Sequence, residues 1–138
     1  MTAIPEVNKY FEMIKHDFDT LDFLTAAPPK NLEKSDFSDW QVTLLFYIAC
    51  VYVKSVLCSL GIDIENHYSL RREITANPEL KPFYRKYRQL EEASRDARYE
   101  GRKFDRGHII QVILPKYFTV RDCIAEVLKK KVFQMCRY

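Results

Sequence analysis

Cationic side chains are concentrated in residues 94–110, where Arg102 and His108 are separated by five intervening residues. A guanidinium is permanently charged and can hold two phosphate oxygens, whereas an imidazole with an ordinary pKa of about 6.5 can take or give a proton at neutral pH. Such a pair could cleave RNA without a metal: the histidine would draw the proton from a ribose 2′-hydroxyl, and the arginine would stabilise the charge that develops on the phosphate. The same spacing occurs by chance in many basic chains, so the surrounding elements must support this interpretation.

A second candidate pair is His67 and Arg71, which are four residues apart and would share one face of a helix. One interpretation is that both side chains satisfy local carbonyls and carboxylates at a helix end. The other is that they form a small basic pocket for a phosphate. The sequence leaves both interpretations open.

The charge of the chain is unevenly distributed. Residues 1–40 carry a net charge of −4 and residues 41–80 of −1, whereas residues 81–108 and 116–138 each carry +4. Arg88, Arg95 and Arg102 recur every seven residues with Arg85 and Arg98 beside them, so an uninterrupted helix would carry them as one basic stripe. This pattern makes an anionic partner plausible for the second half, although a solvated face would look the same.

Several common chemistries are excluded by missing motifs. The chain has no phosphate-binding P-loop, no Gly-x-Gly-x-x-Gly, no His-Glu-x-x-His and no Gly-x-Ser-x-Gly. Its four cysteines form no Cys-x-x-Cys pair, and Cys50 and Cys58 lie in an apolar segment that suits small buried hydrophobes. We therefore expect no cofactor or metal. In the absence of a recognisable signal peptide we also expect a reduced, cytoplasmic environment.

Composition and periodicity favour an all-α fold. The 138 residues are 47% hydrophobic and include only three glycines, which is typical of one mostly helical domain. The run from Trp40 to Leu60 is about long enough to span a membrane, but polar residues interrupt it and positive-inside flanks are missing. A buried central helix is the better interpretation, and we predict an up-and-down bundle of four longer helices plus one short helix.

Helix-end signals predict where these helices begin and end. The first helix is expected from Pro5 to about Ala26, and the second from near Asp39 to Gly61, capped by Ser35, Asp36, Ser38 or Asp39. A short third helix should run from Asn66 to about Ala76. The fourth should open with Asn77-Pro78-Glu79, and Thr119 should cap the last one. Ile109 to Leu114 is expected to be an apolar connector that ends at Pro115. In the fourth helix a core seam is predicted at Leu80, Phe83, Tyr87, Leu90, Ser94 and Ala97.

Three segments carry a family resemblance: "DWQVTLLFYIACVYVKSVLCSLGI", "NHYSLRREI" and "FYRKYRQLEEASRDARY". Together they resemble the HEPN family of small α-helical bundles over about residues 35–100. The resembling positions are Asp39-Trp40, His67 with Arg71, and Tyr87, Leu90, Ser94, Arg95, Arg98 and Tyr99. Many HEPN proteins are metal-independent ribonucleases of toxin–antitoxin, phage-defence or RNA-processing systems. Their signature is Arg, four to six residues, then His, and Arg102 to His108 meets that spacing.

The resemblance also implies partners and alternatives. Active members usually form homodimers with one cleft built from both chains, and a nucleotidyltransferase-like antitoxin often accompanies them. Here Lys103 follows the arginine and Ile110 stands two places after the histidine, where the family often has a polar and an aromatic residue. Some members keep the fold and act only as binding or scaffold modules.

These observations predict a HEPN-like ribonuclease that acts on RNA by 2′-hydroxyl attack. Arg102 would be the phosphate clamp and His108 the general base. The candidate residues for binding RNA or a nucleotide are His67, Arg71, Arg95 and Arg98. The alternatives are a non-catalytic module that binds RNA or nucleotide, and a scaffold domain that binds a protein partner.

Overall fold

The computed structural model describes residues 3–25 and 37–131, and these ranges contain helices and no strand. The elements are α1 (Ala3–Thr25), α2 (Ser38–Ser59), α3 (His67–Ala76), a 3-10 helix (Lys81–Phe83), α4 (Tyr84–Tyr99), α5 (Arg106–His108), a π-helical turn (Ile109–Ile113) and α6 (Leu114–Lys131). The predicted all-α bundle is confirmed, with α1, α2, α4 and α6 as its four longer helices.

Helix α2 lies at the centre of the bundle and packs against α1, α4 and α6. By length and composition alone it could cross a membrane, but 67% of its most apolar stretch is buried inside the structure. The predicted buried central helix is therefore confirmed. Cys50 on this helix is free, and burial raises the pKa of its thiol to about 12, as expected of an unreactive core residue.

The C-terminal end of α2 has the cap that the sequence predicts, whereas the N-terminal end does not. Gly61 has φ +77°, and the N–H groups of Gly61 and Ile62 donate to the carbonyls of Cys58 and Leu57, which confirms the predicted left-handed cap. At the other end the predicted side-chain cap is wrong for the described residues. Phe37 occupies the N-cap position and contributes no side-chain cap bond. Ser35 and Asp36 lie outside the described residues.

Ser38 and Asp39 bind the loop after α4 instead of capping α2. The hydroxyl of Ser38 accepts a hydrogen bond of 2.8 Å from the backbone N–H of Phe104. The carboxylate of Asp39 lies 3.1 Å from Nζ of Lys103. The first turn of α2 therefore fixes the position of residues 103–104.

Helix α3 begins as predicted, because the side chain of Asn66 accepts from the N–H of Ser69 while the Ser69 hydroxyl accepts from the N–H of Asn66. The predicted start of the next helix at Asn77-Pro78 is wrong, since α4 begins only at Tyr84. Pro82 explains the delay: inside an α-helix it would lack a donor and its ring would clash with the carbonyl of residue 78. A turn and the 3-10 helix precede α4 instead.

All six residues of the seam predicted for the fourth helix are buried: Leu80 and Phe83 lie in the turn and the 3-10 helix that precede α4, and the other four lie on α4. Helix α4 ends at Tyr99, and Gly101 follows with φ +66° while the N–H of Arg102 donates to the carbonyl of Asp96. Arg102 is therefore not on the helix that carries Arg95, so the continuous helix that would extend the stripe of arginines to Arg102 is not formed.

The predicted apolar connector before α6 is also wrong. Residues 106–131 are helical without interruption, through α5, the π-helical turn and α6. Pro115 cannot donate to the carbonyl four residues earlier, and a π turn directly before it lets the chain remain helical with shifted hydrogen-bond partners. Thr119 is not a cap, since its hydroxyl donates to the carbonyl of Pro115 within α6.

Candidate functional site

An open cleft of about 460 Å³ lies between α3 and α4. Its lining residues are His67 and Arg71 from α3, and Glu91, Arg95, Arg98 and Tyr99 from α4. The structure thus brings together all four residues that the sequence suggested for binding RNA or a nucleotide. We call this feature the α3–α4 cleft.

The carboxylate of Glu91 connects the two walls of the α3–α4 cleft. Its side chain is only 4% exposed and accepts a hydrogen bond of 2.8 Å from Nη1 of Arg71 on α3. Arg88 on α4 donates to the other carboxylate oxygen. A buried carboxylate needs such partners, because an unpaired charge in the interior is strongly destabilising. Arg71 therefore satisfies a carboxylate and lines the cleft at the same time.

His67 lies at the first position of α3, where the cap at Asn66 fixes its backbone. Its ring packs 5.9 Å from that of the buried Phe46, while its side chain remains 46% exposed and Nδ1 lies 4.0 Å from Glu91 Oε2. Burial lowers the pKa of His67, and the nearby Glu91 carboxylate opposes that shift. The neutral imidazole is thus favoured at neutral pH and supplies hydrogen-bonding atoms rather than charge.

Two further arginines in the α3–α4 cleft have no carboxylate partner among the described residues. Arg98 donates from Nη1 to the Tyr47 hydroxyl at 2.8 Å and from Nε to the carbonyl of Ser94. Its guanidinium also lies over the rings of Tyr47 and Tyr99, 5.4 Å and 5.0 Å from their centroids. Arg95 is exposed and makes no hydrogen bond or ion pair with any described residue. The cleft therefore has an excess of positive charge.

Tyr99 adds an aromatic surface to the α3–α4 cleft. Its side chain is 71% exposed although it is a large hydrophobic group, and it stacks against the Arg98 guanidinium. Exposed aromatic rings beside arginines are the usual means by which proteins hold unpaired nucleic-acid bases.

Arg102 and His108, the predicted catalytic residues, lie outside this cleft but share one contact. The Arg102 guanidinium lies 4.5 Å from the Phe104 ring centroid, and the His108 ring stacks on the same ring at 5.9 Å with an interplanar angle of 27°. Phe104 is itself buried and held by its hydrogen bond to Ser38. Arg102 is half-exposed and lies 3.4 Å from the carboxylate of Asp96, which offsets part of its charge.

Sequence reasoning missed Glu91 and Tyr47 as parts of the site. Glu91 had a signal: it follows Tyr87 by four residues and Leu90 by one, so the seam that buries those residues also reaches Glu91. A carboxylate at a buried position requires cationic partners. Tyr47 had no comparable signal, because only the packing of α2 against α4 brings its hydroxyl to Arg98.

Comparisons with protein-family models, with curated proteins and with solved structures return no significant match. Within residues 3–25 and 37–131, no group of three or more His, Cys, Asp or Glu side chains lies close enough to hold a metal ion.

Proposed function

We propose that this domain binds RNA through phosphate contacts in the α3–α4 cleft. The observation that carries the proposal is the presence of two guanidinium groups, Arg95 and Arg98, without a carboxylate partner among the described residues in a cleft that also holds Arg71. Arginine is the side chain best suited to phosphate because its planar donors match two phosphate oxygens.

Three features support RNA rather than an arbitrary anion as the ligand. Tyr99 is an exposed ring next to the guanidiniums and can stack on a base. His67 offers ring nitrogens for base edges or the 2′-hydroxyl. The cleft also belongs to a chain whose residues 81–108 carry a net charge of +4, which favours approach of a polyanion.

The direct test is fluorescence anisotropy of the whole chain with a labelled single-stranded RNA of twelve nucleotides, measured over a series of salt concentrations. Each phosphate contact to a single strand contributes about −0.7 to the slope of log affinity against log salt. Arg95→Gln should weaken binding and reduce the magnitude of that slope by about this amount. Arg85→Gln is the matched control, because Arg85 is exposed on the same helix and does not line the cleft. Equal losses in both variants would contradict a site in the cleft.

A second candidate function is metal-independent cleavage of RNA at the Arg102–His108 pair. The observation that favours it is that both side chains contact Phe104, which the first turn of α2 holds in place. His108 would take the proton of a ribose 2′-hydroxyl as its oxygen attacks the adjacent phosphorus. The bond to the 5′-oxygen would break, leaving a 2′,3′-cyclic phosphate on one product and a 5′-hydroxyl, protonated from solvent, on the other.

Cleavage has its own test. The purified chain would be incubated with RNA in EDTA, and the products would be analysed for 2′,3′-cyclic phosphate ends. His108→Ala should abolish cleavage, and His16→Ala should not, because His16 lies exposed on α1 far along the chain from the pair. Persistent cleavage in folded His108→Ala would refute the site. The family resemblance extends this candidate to a homodimer with an antitoxin partner, and the mass of the chain in solution tests the dimer.

A further inference from the structure

We propose that the α3–α4 cleft selects a terminal phosphomonoester, carried either by the end of an RNA strand or by a free nucleoside monophosphate. The inference rests on the proposed function in one respect only, that the cleft binds phosphate. It goes further by naming the chemical group that the cleft prefers.

The charge of the α3–α4 cleft is the first argument. Glu91 offsets charge on Arg71 and Arg88, whereas Arg95 and Arg98 have no carboxylate partner within the described residues. A phosphodiester within a strand carries one negative charge, but a terminal phosphomonoester carries between one and a half and two at neutral pH. Only the monoester supplies enough negative charge to match both guanidiniums.

Donor geometry is the second argument. Arg98 uses Nη1 and Nε for Tyr47 and Ser94, and Arg71 uses Nη1 for Glu91, so each keeps further N–H groups without a described partner. Arg95 keeps all of its donors. A monoester presents three terminal oxygens, whereas a diester presents two, and three arginines can each take one. The contacts that hold Arg71 and Arg98 also reduce the entropy they lose on binding.

Size is the third argument. The cleft volume of about 460 Å³ lies within the range of small-molecule sites. This volume is larger than a phosphate needs and suits one nucleotide. The exposed Tyr99 ring is on the wall that also presents Arg95 and Arg98, so the base of a terminal nucleotide can stack while its phosphate contacts the arginines. In a continuous strand both sides of the phosphate carry nucleotides, and one of them would have to leave the cleft.

The experiment compares matched ligands on the whole chain by fluorescence anisotropy. Four RNAs of eight nucleotides share one sequence and carry a 5′-phosphate, a 3′-phosphate, hydroxyls at both ends, or a 5′-methyl phosphate, which keeps the phosphorus but has the charge of a diester. Binding of AMP to the whole chain is measured separately by isothermal titration calorimetry, so that it can be detected whether or not RNA binds. We expect at least one phosphomonoester end to bind about tenfold tighter than the hydroxyl ends, which corresponds to one additional charge-assisted hydrogen bond. The methyl phosphate should lose most of that gain.

Variants link the preference to the α3–α4 cleft. Arg95→Gln should remove the preference for the monoester, and Arg85→Gln should retain it. Both residues are exposed, and a circular dichroism melt of each variant verifies that the fold is kept. Equal loss in the two variants would overturn the inference, because it would indicate diffuse charge rather than a site.

The outcomes separate this inference from the proposed function. If all four RNAs bind equally and Arg95→Gln weakens each of them, selection of a monoester is refuted while RNA binding stands. If no RNA binds but AMP binds and depends on Arg95, the phosphomonoester assignment stands with a free nucleotide as its source, and RNA binding is refuted. If neither RNA nor AMP binds, both are refuted.

Discussion

Replacement of Glu91 by glutamine should destabilise the protein markedly, because this buried carboxylate holds α3 against α4. Loss of one partner from a fully buried ion pair costs about 3–5 kcal/mol. Here Arg71 and Arg88 are 28% and 30% exposed, so water recovers part of their solvation, and glutamine retains one acceptor oxygen. We therefore expect a loss of about 2 kcal/mol in the free energy of unfolding, which for a domain of this length corresponds to a fall in Tm of roughly 6–10 °C.

Urea denaturation and calorimetry at pH 7 would measure this effect. Glu92→Gln is the matched control: Glu92 is the next residue along α4, is 64% exposed and lies 3.6 Å from Arg88, so its loss should cost less than about 0.5 kcal/mol. A double-mutant cycle of Glu91→Gln with Arg71→Gln should give a coupling energy of about 1 kcal/mol or more. If Glu91→Gln and Glu92→Gln were equally stable, the view that Glu91 joins the two walls of the cleft would be refuted.

Three further predictions concern His67, Gly101 and Ser38. Burial lowers the pKa of His67 in the folded state, so the unfolded chain binds the proton more readily and stability present above about pH 6.5 should be lost as the pH falls below it. Thermal melts between pH 5 and 8 should show that stability depends less on pH in His67→Gln than in the original chain. An unchanged pH profile in the variant would contradict this. Gly101→Ala should lower the free energy of unfolding measured in urea by about 1–2 kcal/mol, because φ at this residue is +66°. The added methyl group would meet no neighbour, so the loss would come from the backbone alone. A neutral effect would mean that this backbone conformation is not required. Ser38→Ala should lower the free energy of unfolding by about 1–3 kcal/mol, because it removes the buried acceptor of the Phe104 N–H. Amide hydrogen exchange at Phe104 should become faster in this variant, and unchanged exchange would refute the prediction.

The features that the sequence predicted correctly depend on local chemistry. The left-handed cap at Gly61 and the side-chain cap at Asn66 each involve residues within five positions of one another, so the pattern of residue types specifies them. The seam of α4 follows from the helical period alone. The grouping of His67 with Arg71 likewise needs only their spacing by four residues on one helix.

The features that the sequence failed to predict depend on contacts between distant segments. Ser38 was one of the predicted helix caps, but its hydroxyl instead accepts a hydrogen bond from the N–H of Phe104, which lies 66 residues away along the chain. The sequence placed Arg98 beside a stripe of arginines, but the hydroxyl of Tyr47 on α2 determines where its guanidinium lies. Propensity and period describe one element at a time, whereas these bonds exist only after the elements have packed.

The π-helical turn at Ile109–Ile113 has a consequence for how the cationic segment could vary among related chains. A π turn holds one residue more than an α-helical turn, so deletion of one residue there would restore an unbroken α-helix. Because the extra residue is taken up within that one turn, the helix on either side would keep nearly the same orientation about the axis after the deletion. His108 would then keep its stacking on Phe104, and Ile124 and the rest of the buried face of α6 would keep their contacts. A change of one residue in length at this turn would thus leave the position of His108 intact, whereas deletion of one residue within α6 itself would rotate the residues before it by about 100° relative to those after it.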